Sequence, residues 1–143
     1  MTKVKDVVRM KVPFPSIQDN LAVRPHMYVC IEDGGNKRFL SCQTKKPSML
    51  SKNKPPFIYI DEAKDITRNP FDHPTLISCD YAFGIGNIHV NSKLLATNRK
   101  DVCQELYEEI CQTIQHSSFH TKPINKANLL SINGLLQKRP TVS

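Results

Sequence analysis

Apolar and polar positions trade places in step at the start of the chain. Val4, Asp6, Val8 and Met10 alternate with Lys3, Lys5, Val7 and Arg9 up to Lys11-Val12, the period of two that marks a half-buried strand. Pro13-Phe14-Pro15 ends it, and the polar stretch Ser16 to Asn20 reads as a loop. Val23 to Ile31, rich in branched and aromatic residues, predicts a second strand. Asp33-Gly34-Gly35-Asn36 then predicts a hairpin turn whose glycines supply positive φ, so that Lys37 to Gln43 pairs back antiparallel.

Thr44 to Pro56 is a long loop, followed by a short strand, Phe57 to Ile60, closed by Asp61-Glu62. Residues 63–74 lack a pattern. Thr75 to Cys79 is β-prone, and Tyr81 to Ile85 continues it after Asp80, with Gly84 and Gly86 marking a bend or bulge. One helix is predicted over residues 98–115. Asn98 is its expected cap, Asp101 adds charge to the first turn, and Cys103, Leu106, Ile110 and Ile114 keep the spacing of a buried stripe. From residue 117 onward the chain is basic and largely unpatterned. Leu129, Leu130, Ile132, Leu135 and Leu136 suit a short amphipathic piece, with partner binding, packing back on the domain and fraying all open. The expected organisation is a domain over 1–116 and a basic tail over 117–143. The fold class is mainly β (β+α), a small twisted barrel or half-open antiparallel sheet with a C-terminal helix.

Composition narrows the class. With 143 residues, 39% hydrophobic and 23% charged, one ordinary globular domain is expected, and disorder, collagen and coiled coil are set aside. Apolar stretches such as Met27 to Ile31 fall far short of the ~20 residues a bilayer span needs, and no secretory h-region is visible, so no membrane association and a cytoplasmic location are expected. Five scattered cysteines, Cys30, Cys42, Cys79, Cys103 and Cys111, make no disulfide framework, and without a C-x-x-C no zinc or other metal site is expected.

The net charge of +7 is unevenly spread: residues 1–56 hold 11 basic and 4 acidic side chains, residues 57–120 hold 5 and 9, and residues 121–143 hold 4 and 0. Lys45, Lys46, Lys52 and Lys54 fall in one loop without an acid, which suits a polyanion or a merely solvated loop equally well. No phosphate loop, nucleophile elbow or dinucleotide fingerprint is present. The chemistry-bearing stretches are Val23-Arg24-Pro25-His26, Ser41-Cys42-Gln43-Thr44 and Ser78-Cys79-Asp80-Tyr81.

At these points the sequence resembles the PemK, Kid and MazF family of toxin endoribonucleases. Asp6-Val7-Val8 leading to Pro13-Phe14-Pro15 is similar to the family's opening strand and Phe-Pro turn. Arg24-Pro25 followed by Met27-Tyr28-Val29 is similar to its Arg-Pro element, Leu40 to Thr44 to its strand ending in Thr or Ser, and Ser78-Cys79-Asp80 to its x-Cys-Asp-Gln stretch. The resemblance runs over residues 4–115 and implies an SH3-like, PemK-like barrel that dimerises. It also implies a cytoplasmic toxin with a cognate antitoxin as partner, cutting single-stranded RNA without metal or cofactor by attack of the ribose 2′-oxygen.

That chemistry needs a base, an acid and donors for the phosphorane charge. Carried over by position, Arg24 and Thr44 would stabilise the phosphate and Asp80 would be the base. Gln43, Lys45, Lys46 and His26 would contact RNA. Ser78 stands where some members have a second Arg, which leaves the general acid to be found, with His26 and His73 as candidates. The structural alternatives are an Arg24–Asp19 pair, a turn hydrogen bond at Thr44, and an ion pair of Asp80 with Arg24 or Arg9. His116 and His120 have helical metal spacing, for which solvent exposure is the expected reading. Two rival functions use the same barrel: a CcdB-like gyrase-binding toxin, disfavoured by the absence of Trp, and a noncatalytic RNA- or protein-binding barrel.

Overall fold

In the computed structural model, which describes residues 2–47 and 55–138, the centre of the molecule is a sheet whose strands are apolar on consecutive positions. Its strands are β1 (Val7–Met10), β2 (His26–Asp33), β3 (Asn36–Thr44), β4 (Tyr59–Glu62), β5 (Thr75–Ser78) and β6 (Tyr81–Gly86), joined later by β8 (His120–Pro123). The order is β1-β2-β3-β5-β4, all antiparallel, and β6 pairs with the opening half of β3 while β5 pairs with its last three residues. The predicted continuation across Asp80 is thus two strands along one edge of β3, broken at Cys79-Asp80.

Successive residues of a strand point to opposite faces. Tyr28, Val29 and Cys30 are nevertheless all fully buried, and so are Phe39 and Leu40, which requires a cover on both faces. Val7, Val29, Leu40, Cys42 and Ile77 pack on one face against Leu106 and Ile110 of helix α2 (Gln104–Thr113). Val8, Met10, Tyr28, Cys30, Phe39 and Phe83 pack on the other against Ile124, Leu129 and Leu136. The mainly β fold with helices is therefore as expected, but the sheet is not closed into a barrel. A barrel has one apolar interior, whereas this sheet carries an apolar layer on each side.

Several elements begin elsewhere than the pattern predicts. The first strand starts only at Val7, because Asp6 Oδ2 accepts from Lys3 N at 2.9 Å and Lys5 takes a left-handed φ of 77°. Asn20–Val23 forms a one-turn helix, α1, so β2 begins at His26 and not at Val23. The hairpin between β2 and β3 is present, yet neither Gly34 nor Gly35 has a positive φ. Helix α2 starts at Gln104, with Cys103 Sγ accepting from Leu106 N at 3.4 Å, and not after Asn98, whose φ of 66° lies outside any helix. The reason is nonlocal. Lys100 O accepts from Val7 N at 2.7 Å and Val102 N donates to Lys5 O at 3.0 Å, so residues 98–103 serve the open edge of β1.

The segment after residue 116 packs back on the domain. Strand β8 runs parallel to β6, and Ile124 N continues the ladder to Gly84 O at 3.0 Å. Helix α3 (Lys126–Ile132) is capped by Asn125 Oδ1 and buries Leu129 completely. Strand β9 (Leu136–Lys138) then pairs with β7 (Ile88–Val90). The boundary expected after residue 116 therefore crosses a single core, since Leu129 and Leu136 pack with Phe83 and Ile88. Among the described residues no helix is long and apolar enough to cross a membrane.

Candidate functional site

Antiparallel pairing places the start of β2 beside the end of β3, with Met27 opposite Cys42, and the start of β5 lies there too, with Thr75 opposite Thr44. The loop 63–74 closes the same end. It is held by a buried polar knot: the carboxylate of Glu62 accepts from Arg68 Nε at 2.9 Å and Asn69 Nδ2 at 2.7 Å, and Asn69 Oδ1 accepts from Phe71 N at 3.0 Å. Phe71 is buried directly after the knot, which sets the direction of Asp72 and His73. The result is a cleft of about 280 Å³ lined by Arg9, His26, Met27, Thr44, Phe71, Asp72, His73 and Thr75, among others.

The polar groups in it are suited to proton transfer and anion contact. His26 Nδ1 lies 2.9 Å from Arg24 O, and because a carbonyl only accepts, Nδ1 carries the proton. In the neutral ring Nε2 then holds the lone pair. His73 offers its backbone oxygen to Thr75 Oγ1 at 2.8 Å, which fixes the backbone beneath its ring. Arg9 Nη2 stands 3.9 Å from Asp72 Oδ2, with both side chains about half exposed. Such an open pair contributes at most about 1 kcal/mol, so an entering phosphate can draw the guanidinium away.

Of the residues expected to act together, the structure gathers His26 and Thr44 and leaves others apart. Arg24 is exposed and does not line the cleft; only its backbone oxygen reaches His26. Gln43 is one residue from Thr44 and so on the opposite face, in a hollow of about 80 Å³ with Ser41, Ser78 and Tyr81. Lys45 donates to Asp61 at 2.7 Å, Lys46 is exposed, and Lys52 and Lys54 lie outside the described residues.

Asp80 is committed elsewhere. Its Oδ2 accepts from Phe57 N and its Oδ1 from Ile58 N, both at 2.8 Å, so the carboxylate holds the approach to β4. The ion-pair alternatives do not form: Asp19 accepts from Ser16 Oγ, and Arg9 faces Asp72. His116 and His120 do not share a helix, since α2 ends at Thr113 and His120 opens β8.

Arg9 and Asp72 are additions that the motifs did not flag. A cation at a side-chain position of an otherwise apolar strand was the available signal for Arg9, and Asp72 had none. Set against models of protein families, curated proteins and solved structures, the chain matches none of them.

Proposed function

We propose that the protein is a metal-independent endoribonuclease acting on single-stranded RNA, the toxin of a toxin–antitoxin pair. The observation that carries this reading is the meeting of two imidazoles, a hydroxyl and a guanidinium, from His26, His73, Thr44 and Arg9, in one cleft. The order of the Asp6-Val7-Val8, Pro13-Phe14-Pro15, Arg24-Pro25 and Thr44 elements, similar to that of the PemK, Kid and MazF toxins, supports it further.

In this reading His26 Nε2 takes the proton of the ribose 2′-hydroxyl as the 2′-oxygen attacks phosphorus. The bond from phosphorus to the 5′-oxygen breaks, and the imidazolium of His73 protonates that oxygen. The products are a 2′,3′-cyclic phosphate and a 5′-hydroxyl. Thr44 donates its hydroxyl, and Arg9 its guanidinium, to the charge that grows on the phosphorane. Arg24, exposed two residues from His26, takes a flanking phosphate. The base assigned by resemblance to Asp80 passes to a histidine, because both Asp80 oxygens already accept backbone amides.

The test is incubation of purified protein with a long single-stranded RNA in EDTA, with the product ends mapped. Cuts ending in 2′,3′-cyclic phosphate, slowed by about 10²- to 10⁴-fold in His26→Ala and His73→Ala, are expected. RNA left intact by the wild type would overturn the proposal.

A further inference from the structure

A second concave site lies where β8 is laid against β6. Parallel pairing sets Tyr81 beside His120 and Phe83 beside Lys122, and the Tyr81 and His120 rings stand 5.7 Å apart at 32°. The Lys122 ammonium sits 4.2 Å from the centre of the Tyr81 ring and 4.8 Å from that of Phe14. Across from them Phe57 is 60% exposed. Its own N–H and that of Ile58 both donate to the Asp80 carboxylate, which fixes the backbone that carries this exposed apolar ring. Phe57, Tyr81, His120 and Lys122, with His116, border a groove of about 390 Å³. That is within the range of about 300–1,000 Å³ that seats a small molecule. It shares no lining residue with the cleft of His26 and Thr44.

The groove has the chemistry of a base platform. An exposed aromatic face stacks on any nucleobase, and a cation in the same groove meets the phosphate that accompanies the base. Lys122 has no carboxylate partner among the described residues. Asp80, the one acid that lines the groove among the described residues, keeps its negative charge but has both oxygens engaged by backbone amides. Lys122 is the lysine that lines the groove and is placed to meet a phosphate.

We propose that this groove is a subsite for one nucleotide of single-stranded RNA, with its base on Phe57 and its phosphate on Lys122, which the Tyr81 ring holds in place. Naming RNA as the occupant rests on the proposed function; the site itself is a separate one, built by the segment after residue 116. A strand that enters the cleft and reaches this groove is held at two points.

The test measures binding without cleavage. A fluorescein-labelled octanucleotide with 2′-O-methyl riboses, which lack the attacking hydroxyl, is titrated by anisotropy against wild type, Phe57→Ala, Phe57→Tyr and Lys122→Gln across a salt series. Phe57→Ala is expected to weaken binding about tenfold, and Phe57→Tyr to bind as the wild type does. Lys122→Gln is expected to lower the slope of log affinity against log salt by about 0.7, the signature of one lost phosphate contact on a single strand. No binding by the wild type, or unchanged affinity in Phe57→Ala with an unchanged slope in Lys122→Gln, would overturn the subsite. The two proposals separate cleanly. Phe57-dependent binding by a protein that leaves the all-ribose strand intact keeps the subsite and removes the ribonuclease, while cleavage with Phe57-independent binding does the reverse.

Discussion

Lys11 and Asn133 exchange two hydrogen bonds across 122 residues of sequence. The Lys11 amide donates to Asn133 Oδ1 at 2.8 Å, and Asn133 Nδ2 donates to Lys11 O at 2.7 Å and to Leu129 O at 2.8 Å. A primary amide presents a donor and an acceptor side by side, and so pairs with the backbone beyond β1 as another strand would. Asn133 thereby ties the last helix to the first strand.

The first prediction concerns this clamp. Asn133→Ala leaves buried or half-buried backbone groups without partners and is expected to lower stability by about 2–3 kcal/mol, read from the midpoint of urea unfolding. A chain ended at residue 116 loses Leu129 and Leu136 from the core around Phe83 and Ile88 and is expected to lack a cooperative transition.

At Gly84 the side chain of Thr121 on β8 lies close against the backbone of β6. A Cβ placed there would stand 2.5 Å from Thr121 Cγ2, closer than packed carbons tolerate. Gly84→Ala is expected to cost about 1–3 kcal/mol. Thr121→Ser removes that methyl, so the double variant should recover most of the loss, and a double-mutant cycle measures the coupling.

Asp80 and His26 should separate under substitution. Asp80→Ala frees the amides of Phe57 and Ile58 and is expected to lower stability by about 1–3 kcal/mol. His26→Ala leaves the fold alone and is expected to slow cleavage by about 10²-fold or more. Single-turnover rates at saturating RNA, with thermal unfolding of each variant, distinguish them. A greater loss of rate in Asp80→Ala than in His26→Ala would return the base to Asp80.

The buried thiols set an alkaline limit. Burial pushes Cys30 up to about 12 from the ordinary 9.0, and burial together with the Asp80 charge pushes Cys79 up to about 12. Burial drives Cys42 and the Tyr28 phenol higher still. Above pH 9 for the thiols, and above pH 10 for the phenol, the unfolded chain loses these protons while the native protein keeps them. Their contribution is therefore complete below about pH 9 and drains away toward pH 12. Urea midpoints of reduced protein are expected to fall steadily from pH 9 to 11, and less steeply in Cys79→Ala.

Much of the sheet was legible in the sequence because strand side chains alternate locally and turns have their own residue signatures. The hairpin at Asp33 to Asn36, the β-prone residues on either side of Asp80 and the buried stripe of Leu106 and Ile110 all follow from neighbours in sequence. The helix start did not. Asn98 is a sound cap in isolation, but Lys100 and Val102 gain more by hydrogen bonding to Val7 and Lys5 at the open edge of β1.

The candidate site divides in the same way. His26 and His73 were marked by residue type and Thr44 by the resemblance, and the antiparallel register of β2 and β3 brings His26 and Thr44 to one end. The separation of Gln43 from Thr44 was implicit in the period of two, but which face holds the cleft was not. The sequence by itself determined which residues carry groups able to act and which segments up to Ile85 form the strands of the sheet, since both depend on groups within a few residues of one another. Only the tertiary structure decided that Asp80 is spent on backbone amides, that Arg9 and Asp72 join the histidines, and that the last residues cover the second face of the sheet. Those choices are made by hydrogen bonds and apolar contacts between segments tens of residues apart, where the partner that wins depends on every other pairing in the fold.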